Sequence, residues 1–387
     1  MYRDHTVGVV VPAYNEEGLV STVIDTMPEF VDRVYVVDDR STDDTWAEIK
    51  RHCDPLPEQR RADGGATDTR DASNDSLSDP VADGGSTATV PPNTGEMSDG
   101  NGQAALETTP RQPDEAYSSD DHDDAGTTVI PIRHAENRGV GGAIKTGYEH
   151  ALADGMDVTA VMAGDAQMDP DQLDRLLDPV VDGTAAYAKG NRLAGRDDYA
   201  SMSRWRLFGN LTLTFLTKVA SGYWEMMDPQ NGYTAISREA LEAVDLETLY
   251  EAYGFANDLL VELNTAGFRV ADVSMPAVYG DEQSHIEYRT FVPRLSKLLL
   301  TGFLRRLGRR YVVREFHPLV LVYGLGVAGW LLASAGLAWA TATRTRTNSR
   351  AVWVGMTVLY AFLGSICLVL AMALDHAENA DTVVTVR

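Results

Sequence analysis

Short, unbroken runs of β-branched and other apolar residues recur along the first part of the chain, each closed by an acidic or proline-containing loop. Val7 to Pro12 is such a run and stops at a proline, the pattern of a parallel strand buried on both faces. Ala13 to Glu17 follows as a loop and helix start. Val34 to Asp39 repeats the run, and the hydroxyls and carboxylates between Arg40 and Thr45 offer caps to a helix through Ile49. Thr128 to Ile132 predicts a third strand; the glycine-rich Asn137 to Ala143 then enters a helix carrying Ile144, Lys145, Tyr148 and Leu152. Asp157 to Val161 predicts a fourth strand, and past Asp169-Pro170 the spacing of Leu173, Leu176 and Leu177 predicts a helix. Strands alternating with helices predict an α/β fold.

Two stretches break this rhythm. From Cys53 to Thr127 Gly, Ser, Thr, Pro and Asp dominate and no periodicity survives, so 53–127 is expected to be a disordered, solvated insertion between a helix and the next strand. Beyond residue 290, apolar positions of Phe291 to Val313 interleave with Lys297, Arg305, Arg306, Arg309 and Arg310, which predicts a basic amphipathic helix at an anionic surface over 291–315. Pro318 to Ala340 and Ala351 to Leu374 are uncharged apolar runs of 23 and 24 residues, each long enough for about 30 Å of hydrocarbon. Two transmembrane helices are expected within 316–376, followed by a tail, 377–387. Arginines before the first span put the preceding domain on the cytoplasmic side of a cell membrane, while Arg344, Arg346 and Arg350 between the spans argue the other way.

Composition narrows the function. The 387 residues can bury a full α/β core over 1–290 and still supply appendages. A formal charge of −24 disfavours nucleic acid as a partner and matches a salt-adapted, halophilic composition. More than half of that charge lies in the insertion, where 17 Asp and Glu face 4 Arg. Two cysteines, Cys53 and Cys367, predict neither a disulfide framework nor a metal cluster. Thr6 to Val11 is too short for a secretory signal and meets Pro12 at once.

Candidate chemistry gathers at the strand ends, where open α/β sheets bind ligands. Asp165 and Gln167 fall in a strand-to-helix loop, and their carboxylate and amide oxygens can serve Mg²⁺ or Mn²⁺, with diphosphate and water filling the other positions. The same loop also fits a helix N-cap with a spare aspartate. Tyr14 offers a ring for stacking, and Asp38 or Asp39 can accept the imide N–H of a base. Glycines at Gly139, Gly141 and Gly142 let backbone N–H groups approach a phosphate or sugar.

Val11 to Glu16 (Val-Pro-Ala-Tyr-Asn-Glu), Val36 to Thr45 (Val-Val-Asp-Asp-Arg-Ser-Thr-Asp-Asp-Thr), Asn137 to Ala143 and Gly164 to Pro170 (Gly-Asp-Ala-Gln-Met-Asp-Pro) occur in the order of a known motif series. From Thr6 to Ile286, the insertion apart, the chain resembles family-two glycosyltransferases, and among them dolichyl-phosphate mannose and glucose synthases. The resemblance implies a GT-A fold, Rossmann-like with a mostly parallel sheet, carrying a C-terminal transmembrane hairpin. It implies nucleotide-sugar binding by Pro12, Tyr14, Glu16, Asp38, Asp39, Asn137 and Asp165, and metal binding by Asp165 and Gln167. Ala163 stands where relatives keep the first carboxylate of Asp-x-Asp. Ala188 to Arg192 resembles a strand end whose arginine faces the acceptor phosphate, and Arg204 to Asn210 and Asp228 to Tyr233 resemble the region closing over acceptor and donor sugar. Arg192 and Arg204 are thus the acceptor-phosphate candidates, with surface arginines as the plain alternative. Ser284 sits where relatives keep Arg-x-x-Gly-x-Ser-Lys, and no arginine occurs from Val278 to Ile286. Asp258, with Asp165 and Gln167 a catalytic candidate, matches a helix-borne acidic position and is expected to orient rather than deprotonate.

The function implied is transfer of a hexose from a nucleotide sugar, of GDP-mannose or UDP-glucose type, to dolichyl or polyprenyl phosphate at the bilayer. Extension of a lipid-linked saccharide and a catalytically weak nucleotide-sugar-binding membrane module are the alternatives. A polysaccharide synthase is disfavoured, since Arg204-Trp205 has Ser201 where that motif carries glutamine.

Overall fold

The structure, a computed structural model, describes residues 1–53, 115–116, 127–192, 204–276, 288–342 and 347–387. Most of the expected insertion therefore lies outside the described residues. The chain alternates β1 (Val7–Ala13), α1 (Val20–Asp25), β2 (Arg33–Asp38), α2 (Thr45–Cys53), β3 (Glu115–Ala116), β4 (Thr128–Arg133), α3 (Val140–Ala153), β5 (Val158–Val161), α4 (Leu173–Val181) and β6 (Tyr187–Asn191). There follow α5 (Arg204–Ser221), β7 (Thr234–Ser237), α6 (Arg238–Ala243), α7 (Phe255–Ala266), β8 (Val270–Ser274), α8 (Tyr288–Arg306), α9 (Leu319–Ala342), α10 (Thr347–Glu378) and β9 (Val383–Val386).

These strands join one sheet in the order β3-β4-β2-β1-β5-β7-β6-β8-β9. It is the mostly parallel GT-A sheet: β3 and β7 run against the rest. Period-two alternation divides its side chains between two cores. Val7, Val9 and Val11 of β1 pack with Val34 and Val36 against Leu173, Leu176 and Leu177 of α4; Val10 and Val37 pack on the other face with Ile144, Tyr148 and Leu260. Each such aliphatic side chain contributes about 1.5–3 kcal/mol by burial. A one-residue slip of β1 would exchange the two faces and forfeit that packing. Helix α3 lies close to β1 at Gly147, where a Cβ would come within 2.3 Å of Val10 Cγ1.

The chain builds β1, β2 and β4 outward in one direction and then returns to place β5 on the other side of β1. The helices that follow β1 and β5 pack on the same face of the sheet, and both loops lie at its carboxyl edge, where open α/β sheets bind ligands.

Two expectations change beyond β8. The 377–387 tail is part of the sheet: β9 pairs in parallel with β8, Val270 opposite Val383 and Val273 opposite Val386. Val383 is buried in the core on that face. Second, the arginines after residue 304 have partners within the protein, although Arg309 keeps 59% of its side chain exposed. Arg306 is fully buried, Arg305 and Arg309 pair with Glu262 of α7, and Arg310 donates to Asn264 and Asn379. Helix α8 gives way after Arg306 to a π-helical segment, Leu307–Arg314, which carries Arg309 and Arg310. Large apolar side chains stand exposed along the same stretch: Leu300, Leu304, Val313 and Phe316. Carboxylates of α7 partner Arg305 and Arg309, and Asp375 of α10 partners Arg306, pairings that sequence spacing alone does not reveal.

Helices α9 and α10 contain the two stretches long and apolar enough to cross a membrane, Leu319–Ala342 and Ala351–Glu378. They meet at glycines: a Cβ on Gly329 would lie 2.7 Å from Gly364 Cα, so only glycine permits this approach. The start of α9 and the end of α10 both lead back to the α/β domain.

Candidate active site

Loops after β1 and β2 are sewn together by their own short polar side chains. Asn15 takes a left-handed backbone, φ 58°, and its Oδ1 accepts from the Thr42 amide at 2.8 Å. In return Ser41 Oγ accepts from the Asn15 amide at 3.0 Å, and Thr45 Oγ1 from the Glu16 amide at 2.8 Å. Tyr14 is 47% exposed and is not among the residues lining the cavity described below. The Pro12 carbonyl accepts from the Gly164 amide at 3.1 Å, tying the β1 loop to the β5 loop.

Asp38 and Asp39 are buried, 0% and 3% exposed. Asp38 Oδ1 accepts from the Ser41 amide at 3.1 Å, and its Oδ2 lies 2.9 Å from Arg133 Nε at an angle that gives an ion pair without a hydrogen bond. Asp39 receives the Arg138 amide at 2.8 Å, the Gly139 amide at 2.7 Å and His134 Nδ1 at 2.7 Å. His134 is buried and reaches Thr146 Oγ1 at 2.9 Å through its other nitrogen. Its role was invisible in sequence, where one histidine after a strand carries no signal. Asn137 is exposed beside this turn, its Oδ1 3.2 Å from the Gly139 amide.

The glycine-rich entry to α3 is likewise filled by the chain itself. The Gly142 amide donates to the Glu251 carbonyl at 3.0 Å, and a Cβ on Gly141 would come within 2.7 Å of the carbonyl oxygens of Tyr250 and Glu251. These glycines admit the 250–252 segment, which corrects the expectation of an open phosphate approach. Lys145 and Arg138 both reach Glu251 Oε1, at 3.0 and 3.2 Å, and hold its carboxyl below the ordinary glutamate range against the opposing effect of burial.

One cavity at the carboxyl edge gathers the β5 loop, the end of β6, the turn before β7 and the end of β8. Asp165, Gln167, Met168, Arg192, Asn231 and Tyr233 are among its lining residues. Asp165 Oδ1 accepts the Gln167 amide at 3.1 Å across Ala166, whose φ is 56°. This tight turn brings the two candidate metal-binding side chains into the same lining. Their hard oxygens fit Mg²⁺ or Mn²⁺ held mainly by a ligand's phosphates and water. Among the described residues no group of three His, Cys, Asp or Glu side chains forms a protein-only metal cage.

In the same lining, Arg192 Nε lies 2.9 Å from Asp228 Oδ2, and Nη2 3.3 Å from Oδ1. Asp228 has a left-handed backbone, φ 45°, and Lys189 Nζ donates to its carbonyl oxygen. Asp272 of β8 accepts from Asn191 Nδ2 at 2.9 Å and from the Met227 amide at 3.2 Å. Burial pushes the Lys189 ammonium down to about 8 against the pull of Asp228 and Asp272, and pushes the Asp272 carboxyl up to about 6. Asp228 goes the other way: burial raises it, but Lys189 and Arg192 together hold it below the usual range. Sequence reading missed Lys189 and Asp272, since both look like ordinary strand residues until the fold places them side by side.

Asp258 does not reach this cavity. It is buried in the first turn of α7, accepting the Tyr250 amide at 3.0 Å and pairing with Arg305 of α8. Both of its oxygens join α7 to α8 and to the 250–252 segment. Arg204 opens α5, with its side chain outside the described residues, and Ser284 lies outside them altogether.

Residues 8–68 and 115–245 match the sequence profile described as Glycosyl transferase family 2. The chain carries a glycosyl transferase family 2 domain. The matched span of this family 2 domain includes Tyr14, Asp39, Asp165, Arg192 and Asp228, whereas Asp272, Arg306 and the apolar helices lie beyond it. Over 151 residues, 39% of this chain and 60% of the relative, it is 28% identical to the UDP-N-acetylglucosamine–dolichyl-phosphate N-acetylglucosaminyltransferase of Methanococcus voltae. Over 146 residues, 37% of this chain and 54% of the relative, it is 30% identical to the polyprenol monophosphomannose synthase of Mycolicibacterium smegmatis. The chain thus spans between half and two thirds of these relatives' lengths. Among solved structures, glucosyl-3-phosphoglycerate synthase from Mycobacterium tuberculosis, in complex with Mn²⁺, UDP and phosphoglyceric acid, aligns with a TM-score of 0.45 at 17% identity over 79% of each chain.

Proposed function

We propose that the chain is a membrane-anchored inverting glycosyltransferase that moves a hexose from a nucleotide sugar to dolichyl or another polyprenyl phosphate. The observation that supports this reading is one cavity that Asp165, Gln167 and Arg192 all line. The reaction must bring together a donor diphosphate and an acceptor phosphate, and this lining offers oxygens for a cation and a guanidinium for an anion. Asp165 and Gln167 hold Mg²⁺ or Mn²⁺, which when bound offsets charge on the departing nucleoside diphosphate. Tyr14 and Glu16 take the nucleoside half, with Pro12, Asn137, Asp38 and Asp39 supporting the loops around it. Arg192 receives the acceptor phosphate, as a guanidinium pairs bidentately with a phosphate monoester; Arg204 and Ser284 belong to the same acceptor side. A phosphate oxygen is already anionic at neutral pH, so it attacks the anomeric carbon without a strong general base. The protein's part is alignment of the two substrates.

In this reading α9 and α10 form a hairpin in the bilayer, with the catalytic domain and the C-terminus on one side, the cytoplasmic one. Domain limits follow: a catalytic unit over 1–290 with the 53–127 insertion, a juxtamembrane segment 291–315 and the hairpin within 316–376. The relatives' printed activities on dolichyl phosphate and polyprenol favour the same acceptor class.

The test is the purified full chain in detergent with dolichyl phosphate and labelled GDP-mannose, UDP-glucose or UDP-N-acetylglucosamine. A lipid-linked sugar that EDTA suppresses is expected. Nucleotide binding with no product from any donor would leave a binding module in its place.

A further inference from the structure

Lys189 lies in the middle of β6 with no exposed surface. A lysine so placed gives up its hydration, a cost that only close partners offset. Three charged groups face it: Asp228 from the turn before β7, Asp272 from β8, and Arg192 from the end of its own strand. Its ammonium donates to the Asp228 carbonyl oxygen, and the Asn231 amide closes the turn on that same oxygen at 3.1 Å.

Asp228 is the shared element. Its carboxylate is 7% exposed and holds Arg192, whose side chain is 39% exposed and lines the cavity. We infer that Lys189 is a positioning residue: a fixed counter-charge for Asp228 that allows Arg192 to turn from that carboxylate to an acceptor phosphate. An incoming phosphate monoester competes with Asp228 for the same guanidinium. Were Asp228 left without a cation, the exchange would strand a buried carboxylate, which is strongly unfavourable. With the Lys189 ammonium held on the backbone carbonyl of the same residue, the carboxylate keeps a nearby cation, and the guanidinium can move a short distance at little cost. The depressed basicity of Lys189 adds that this support weakens as pH rises through about 8.

This rests on the acceptor side of the proposed function, so the readout is equilibrium binding rather than turnover. Polyprenyl phosphate in detergent micelles and a nucleoside diphosphate with Mg²⁺ are titrated separately into the full chain. Lys189→Met should weaken the lipid phosphate about tenfold and leave the nucleotide within twofold. Asp228→Asn, which removes the competing carboxylate, should bind the lipid phosphate as tightly as the wild type or more so, and should restore it when combined with Lys189→Met. Equal weakening of both ligands in Lys189→Met, or tenfold weaker lipid phosphate in Asp228→Asn, overturns the proposal. If Lys189→Met does not fold, Lys189→Gln replaces it with the same two outcomes. A wild type that binds the lipid phosphate but transfers no sugar removes the proposed function and leaves the role of Lys189 standing.

Discussion

Arg306 and Asp375 face each other with both side chains fully buried, joined by two parallel hydrogen bonds of 2.9 and 2.7 Å. Arg306 also donates to the carbonyls of Ala220 and Val219 at the end of α5, and Asp375 accepts the Tyr311 hydroxyl at 2.9 Å. The end of the second apolar helix is thereby fastened to the α/β domain. Removing one partner strands the other, and Asp375→Ala should lower stability by about 3–5 kcal/mol. Thermal unfolding in detergent measures it; Arg306→Met/Asp375→Leu should lose less than either single change.

Strand β9 closes the β8 edge of the sheet. Truncation after Asn379 keeps Asp375 but uncovers a row of backbone groups, which invites edge-to-edge association. We expect a lower unfolding temperature and higher oligomers on size-exclusion chromatography. An unchanged elution profile and melting curve would show that β9 adds nothing to the fold.

Asp165→Ala removes the carboxylate from the candidate metal site and lies in a half-buried loop outside both cores. Turnover should fall by at least about a hundredfold, because charge stabilisation of this kind is worth several kcal/mol. Circular dichroism should be unaltered. Near-normal transfer would move the metal elsewhere.

The Asp272 carboxyl, raised from 3.8 to about 6, gives a pH-dependent stability of opposite sign to that of a salt-bridged aspartate. Its folded-state value lies above the unfolded one. Its contribution is therefore fully present below pH 3.8 and is lost as pH rises through about 6. The loss reaches up to about 3 kcal/mol at roughly 1.4 kcal/mol per tenfold change in proton affinity. Asp272→Asn should flatten this part of the profile, so that its stability relative to the wild type improves on going from acid to neutral pH. Denaturant unfolding of both proteins across that range measures it, and a parallel pair of profiles would contradict it.

The chain's own order of residues determined the strands, the helices between them, the family resemblance and the two apolar helices. All of these are written in local spacing, because a buried parallel strand is an apolar run and a spanning helix a longer one. Asp165 and Gln167 could be singled out for the same reason, since they follow a legible strand, whereas Arg192 was singled out only by the family resemblance. Tertiary structure alone decided which charges face which. Asp39 with His134, Lys189 with Asp228, Arg305 with Asp258 and Arg306 with Asp375 join residues 39 to 95 positions apart, and no period in the sequence encodes such pairings. It also turned a short valine-rich tail into a strand of the sheet, since four residues gain a partner only once β8 presents an open edge beside them.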